Sequence, residues 1–291
     1  MKFSKQEFII QNQDSFDLEH IFECGQCFRW EKQIDQSYIG VIKNGVLNVK
    51  KQDNDIYFKG YLNCDIKDFV NEYFDLDFDY KKAKSKLSNI DNNLKEATKY
   101  GSGIRILRQD LWEMIISYII SSNNNIPRIK KIINAISKEY GTKITWEDHD
   151  YYLFPTIEEL SKASQEDIRL LGAGFRDKYI YKTTKIIASN QIDLKKLNKL
   201  STNDARNLLK ECQGIGDKVA DCILLFGMHR FDVYPVDVWV RRVTNELYIH
   251  NSDENKVKKE DIIKFAFDKF GDLAGLAQQY LFYYRRENNK G

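Results

Sequence analysis

Along residues 1 to about 62, apolar and polar side chains alternate with the two-residue period of strands. Tyr38-Ile39-Gly40-Val41-Ile42 and Val46-Leu47-Asn48-Val49 flank Asn44-Gly45, which predicts a hairpin with a type I′ turn, because such a turn needs two residues tolerant of positive φ. Asp55-Ile56-Tyr57-Phe58-Lys59 adds a strand, so an antiparallel sheet is expected to open the chain. From Cys64 the spacing becomes helical, and the pattern predicts helices through to about Arg286.

Leu111, Ile115, Tyr118 and Ile119 mark a buried helix ending in the polar run Ser121-Ser122-Asn123-Asn124-Asn125. A second helix follows with Pro127 in its first turn, where a missing N–H costs little. Ile129, Ile132, Ile133 and Ile136 form its apolar stripe, and Arg128, Lys130, Lys131 and Lys138 its basic residues. Gly172-Ala173-Gly174 reads as a turn before a helix carrying Arg176, Lys178, Lys182 and Lys185. With no internal repeat and no low-complexity linker, sheet and helices are expected to form one packed body, an α+β fold.

Composition narrows the class. The 291 residues are 42% hydrophobic with three prolines, enough for a substantial core and unlike a disordered chain. Lys and Arg number 45 against 43 Asp and Glu, and a net charge of +2 does not by itself announce nucleic acid or a membrane surface. Six acidic residues between Asp65 and Asp79 read as a solvated face. No run approaches the roughly 20 apolar residues of a membrane span, and the first residues lead into no apolar signal segment, so a cytoplasmic protein is expected. The five cysteines are scattered; Cys24-Gly25-Gln26-Cys27 has no second ligand pair to complete a zinc site and no four-cysteine cluster, and reads as two small residues in a turn near the core.

The chemistry concentrates in Leu208 to Ile223, which reads as a helix, a Gly214-Ile215-Gly216 hairpin and a second helix from about Asp217. The glycines bring N–H groups to a helix N-terminus, where the macrodipole attracts a phosphate oxygen. On the glycines alone, an ordinary helical turn explains the pattern equally well. Further on, Tyr234-Pro235-Val236-Asp237 precedes the helix Val238-Trp239-Val240-Arg241-Arg242-Val243, with Asp237 where an N-cap belongs.

Gly214 to Cys222 followed by Pro235-Val236-Asp237 resembles the helix-hairpin-helix DNA glycosylase superfamily. Gly25-Gln26-Cys27-Phe28-Arg29-Trp30, Ser121 to Arg128, and Ala274-Gly275-Leu276-Ala277-Gln278 with Phe282 are similar to motifs of its 8-oxoguanine DNA glycosylases. These motifs span about residues 16 to 284 in family order. The resemblance implies an N-terminal antiparallel domain like half of a TATA-box-binding saddle (about 1–100), a helical glycosylase region (about 101–291) and a helix-hairpin-helix at about 204–228.

Lys218 is then the nucleophile, since a neutral amine can attack the sugar C1′ and form a Schiff base. Asp237 stabilises charge on the sugar, caps its helix, or does both. Gly25 matches the position whose carbonyl accepts the N7 hydrogen that the oxidised base has and guanine lacks. Gln278 matches a reader of the Watson-Crick edge, and Phe282 and Cys222 match the two sides that sandwich the flipped base. Phe175 matches the wedge, while Asn123, Arg128 and Arg176 match residues holding the orphaned cytosine. Gly214, Gly216 and Val219 match the backbone grip on phosphate. Trp239 stands where a His contacts phosphate in familiar eukaryotic members, and Cys27 where Ser is familiar.

The resemblance thus implies a bifunctional 8-oxoguanine glycosylase and AP lyase acting as a monomer on duplex DNA, with no organic cofactor and room for a cation held by hairpin carbonyls. Its rivals are a sister glycosylase with other base specificity and a non-catalytic DNA-binding damage sensor. On either DNA-binding reading the basic residues near Arg128, Arg176 to Lys185 and Arg241-Arg242 should share a face with the hairpin, and the acidic run should lie away from it.

Overall fold

A computed structural model describes residues 2–253 and 256–288. Strands β1 (Ser4–Ile10), β2 (Trp30–Lys32), β3 (Tyr38–Ile42), β4 (Gly45–Gln52) and β5 (Asp55–Leu62) form an antiparallel sheet in the order β1-β5-β4-β3-β2. In β5, Ile56, Phe58 and Leu62 are buried while Tyr57 and Lys59 point outward, as the two-residue period requires. The inward face meets helix α1 (Leu18–Phe22) and a knot of aromatic rings, in which Phe22 stacks on Trp30 at 4.1 Å between centroids.

The first hairpin forms, but not with the expected turn. Lys43 and Asn44 make the connection, neither has positive φ, and Gly45 already pairs with Ile42 at φ +146°. The glycine is needed for closeness: a Cβ there would lie 2.0 Å from the Tyr61 carbonyl oxygen on β5. Two consecutive positive φ values occur instead at Glu147 and Asp148, between β6 (Lys143–Trp146) and β7 (His149–Tyr152). This second hairpin corrects the expectation of helix throughout after Cys64. Its Ile144 and Trp146 pack on Val46 of the sheet, a burial that the four-residue strands do not announce locally.

The helices are α2 (Ile66–Tyr73), α3 (Tyr80–Ser88), α4 (Asn92–Tyr100), α5 (Leu111–Ser121), α6 (Ile126–Tyr140), α7 (Ile157–Leu160), α8 (Gln165–Ile168), α9 (Asp177–Ala188), α10 (Leu194–Leu197), α11 (Thr202–Lys210), α12 (Asp217–Gly227), α13 (Val238–Thr244), α14 (Lys259–Phe270) and α15 (Ala274–Asn288). Helix α5 is buried from Leu111 to Ile120 and packs against α12. Each of its isoleucines contributes roughly 1.5–3 kcal/mol of apolar burial. Helices α3 and α4 bury Tyr80, Leu87 and Leu94 in this same helical cluster, and α15 returns the end of the chain onto α4.

The acidic run is only partly a solvated face. Asp75 is buried, with Arg108 at 2.8 Å, His229 at 3.0 Å and the Tyr80 hydroxyl donating to it at 3.0 Å. These partners hold its carboxyl below the usual range against the opposing pull of burial. Among the described residues no helix is long and apolar enough to cross a membrane.

Candidate active site and nucleic-acid interface

Helix α11, the hairpin and α12 form as expected. Gly214 adopts φ +93° with the Tyr179 ring pressed against it, whereas nothing lies within 4 Å of a Cβ on Gly216. Gly216 is the N-cap of α12 and supplies no side-chain cap, so the N–H groups of the first turn, Val219 included, have no cap to satisfy them. Helices α5, α6, α11 and α13 are all closed by Asp, Asn or Ser side chains. Asp217 in this first turn is offset by Lys210 at 2.5 Å and Lys259 at 3.2 Å, leaving the helix end able to receive an anion.

Lys218 projects from the same turn, its Nζ 5.8 Å from the Tyr118 ring centroid. One turn on, Cys222 is 4% exposed. Burial pushes its thiol up to about 11, while the Lys218 amine pulls it down and the charges of Asp221 and Asp237 raise it. Lys218, Cys222 and Asp237 therefore lie within electrostatic reach of one another. Asp237 is an N-cap, accepting from the Val240 N–H at 2.7 Å through Oδ1. Its Oδ2 accepts no hydrogen bond from a described residue.

Gly25 lies in a short loop at φ +90°. Its neighbours' carbonyls are occupied: Arg286 donates to Glu23, Gln279 donates to Cys24 at 2.5 Å, and Gln109 (2.8 Å) and Tyr118 (3.4 Å) donate to Gln26. The Gln26 side chain is buried, donating to Ile21 and Arg105 and accepting from Leu107. Of the carbonyls from Glu23 to Gln26, that of Gly25 receives no donor from the described residues. A Cβ on Gly25 would stand 3.4 Å from Phe282 Cε1. Gln278, 6% exposed on the same helix as Phe282, spends no side-chain hydrogen bond on the described residues.

The flanking cysteines are both buried free thiols, and burial pushes Cys24 to about 11 and Cys27 well up. Trp239 is half-buried, and its indole packs edge to face on Phe282, centroids 4.9 Å apart.

On the α5–α6 side, Asn123 has φ +49° at an exposed corner, and Arg128 is exposed with Nη2 3.6 Å from a Cβ position on Gly174. Phe175 is 52% exposed with the Arg176 guanidinium 4.3 Å above its ring. Arg176 is 2% exposed and donates to the carbonyls of Ser122 (2.8 and 2.6 Å), Asn123 (2.7 Å) and Ala173 (3.3 Å). Without DNA it braces the Asn123 corner, and contact with a base would require those bonds to be exchanged. Arg128 by Gly174, Tyr179 against Gly214 and Lys182 donating to Gln213 at 2.9 Å join this corner to the hairpin in one surface.

An uncapped hairpin helix bearing a lysine, with Asp237 within electrostatic reach, is the arrangement that the base-excision DNA glycosylase resemblance implies. Residues 116–268 match the HhH-GPD superfamily of base excision DNA repair proteins, and residues 8–115 match the N-terminal domain of 8-oxoguanine DNA glycosylase. The N-glycosylase/DNA lyase of Saccharomyces cerevisiae is 31% identical over 97% of this chain and 85% of its own. The crystal structure of Clostridium acetobutylicum 8-oxoguanine glycosylase/lyase, in complex with dsDNA containing cytosine opposite 8-oxoG, is 41% identical, covers 99% of both chains and superposes with a TM-score of 0.93. The chain belongs to the 8-oxoguanine DNA glycosylase/lyase family of that superfamily.

Sequence reasoning missed Tyr118, Gln279 and Arg286, which donate to the carbonyls flanking Gly25. Tyr118 lay in a helical stripe that explained it as core; Gln279 and Arg286 act on a loop some 255 and 263 residues away.

Proposed function

We propose that the protein removes 8-oxoguanine opposite cytosine from duplex DNA and then cleaves the strand. The observation that carries the reading is the unbonded Gly25 carbonyl, flanked by three bonded ones and next to Phe282. A base inserted between Phe282 and Cys222 would bring its N7 edge to that oxygen. The lesion donates a hydrogen there, whereas guanine would oppose one acceptor with another.

Lys218 attacks C1′ as a neutral amine; the new C–N bond forms as the bond to N9 breaks and the base leaves with its electron pair and a proton. Asp237, its capping oxygen fixed, offers Oδ2 to the developing positive charge. Breaking the C1′–O4′ bond opens the sugar ring, with O4′ taking a proton, and leaves a Schiff base on Lys218; this acidifies the C2′ proton, whose loss breaks the C3′–O bond and expels the 3′ phosphate, and water then releases Lys218. Phe175 fills the gap left by the extruded base, and Asn123 and Arg128 hold the cytosine, with Arg176 holding the corner that presents them. Gln278 reads the Watson-Crick edge.

The hairpin grips the backbone on the 217–219 amides and releases counterions at the adjacent basic surface. The carbonyls of Gln213, Gly214 and Ile215 accept no bond from described residues and are hard donors that fit a cation, which would add positive potential at the phosphate. The protein acts as a monomer.

Borohydride should trap a covalent complex with an 8-oxoguanine–cytosine duplex, and Lys218→Gln should abolish trapping while retaining binding. Binding by the unaltered protein without any adduct would favour a damage sensor over a lyase.

A further inference from the structure

Arg286, outside the motifs that carry the family resemblance, reaches the loop that holds Gly25. Arg286 lies one turn beyond Phe282 on α15. Its Nη2 donates to the Glu23 carbonyl, its Nη1 is 3.5 Å from a Cβ position on Gly25, and its Cζ lies 5.5 Å from the Phe282 ring centroid and 5.6 Å from that of Tyr283. Its Nε donates to Glu287 at 3.0 Å. One guanidinium therefore touches both the loop carrying the acceptor and the ring on which the base would stack.

Resting on the excision reading above, we propose that Arg286 is a specificity-determining positioning residue, tying the Gly25 carbonyl to the Phe282 ring so that acceptor and stacking surface keep one spacing. Lesion and guanine differ at N7 by a single hydrogen, and a hydrogen bond weakens steeply when distance and angle drift. A loop free to slide relative to Phe282 would lose that difference first. A planar guanidinium can donate in its plane while its face lies over a ring, which a lysine cannot.

The test compares excision of 8-oxoguanine opposite cytosine with cleavage of a preformed abasic site opposite cytosine, both in single turnover. The abasic site has no base to read but needs Lys218, Asp237 and the DNA grip. Arg286→Ala should slow excision by roughly tenfold or more while abasic cleavage stays within about twofold, and Arg286→Lys should recover only part of the loss. Parallel loss of both activities would make the residue merely structural, and no loss of either would remove it from recognition; each overturns the proposal. Abasic cleavage without 8-oxoguanine excision by the unaltered protein would instead sink the underlying reading, before any variant is compared.

Discussion

Tyr179 presses on Gly214 so closely that a Cβ would stand 2.5 Å from the ring's Cγ, whereas a Cβ on Gly216, two residues on, meets nothing within 4 Å. One glycine is required by the fold; the other leaves a helix end bare.

The two should therefore separate on substitution. Gly214→Ala adds a left-handed φ to the clash and should cost about 1–3 kcal/mol of stability. Gly216→Ala should stay within about 0.5 kcal/mol of the unaltered protein, yet weaken duplex binding severalfold by placing a methyl where a phosphate approaches. Denaturant titration and fluorescence anisotropy measure the two quantities. Loss of affinity only in proportion to lost stability would exclude a phosphate site at the start of α12.

Glu113 supplies a pH signature. Burial pushes its carboxyl up to about 7, with the Arg29 charge opposing and Asp110 adding to the rise. The fold thus favours the protonated form. That advantage is complete below the unfolded value near 4.5, fades as pH rises through the window to about 7, and is gone above it. Glu113→Gln should leave the melting temperature nearly unchanged at pH 4.5 and raise it at pH 8, by an energy on the order of 3 kcal/mol. Equal shifts at both pH values would contradict this.

Arg128 and Arg176 should part company. Arg176→Ala strands the carbonyls of Ser122, Asn123 and Ala173 and is expected to cost about 2–4 kcal/mol. Arg128→Ala removes an exposed side chain and should barely alter melting, but flatten the preference for cytosine opposite the lesion. Excision rates on duplexes with each opposite base decide it; an unchanged profile in the Arg128 variant would assign the cytosine contact elsewhere.

Charge illustrates what composition conceals. A total of +2 coexists with basic groups at Arg128 and Lys182 near the hairpin, while acidic ones are consumed elsewhere, as Asp75 is by Arg108 and His229. Screening confines each charge to about a Debye length, so placement outweighs the sum.

The sequence by itself determined what depends on neighbours along the chain. Strand alternation, the Asp237 cap, Pro127 in a first turn and the Gly214-Ile215-Gly216 hairpin are local, because dihedral preference and a capping bond reach only three or four residues. Only the tertiary structure decided that Gly45 serves a close strand approach, that Lys143–Tyr152 folds back as a hairpin, and that Arg176 is buried. It alone left one carbonyl free at Gly25, because the donors that take the carbonyls beside it come from Gln109, Tyr118, Gln279 and Arg286. A hydrogen bond between residues that are 83 to 263 positions apart leaves no periodic trace in sequence, since its partners meet only after the elements between them have packed.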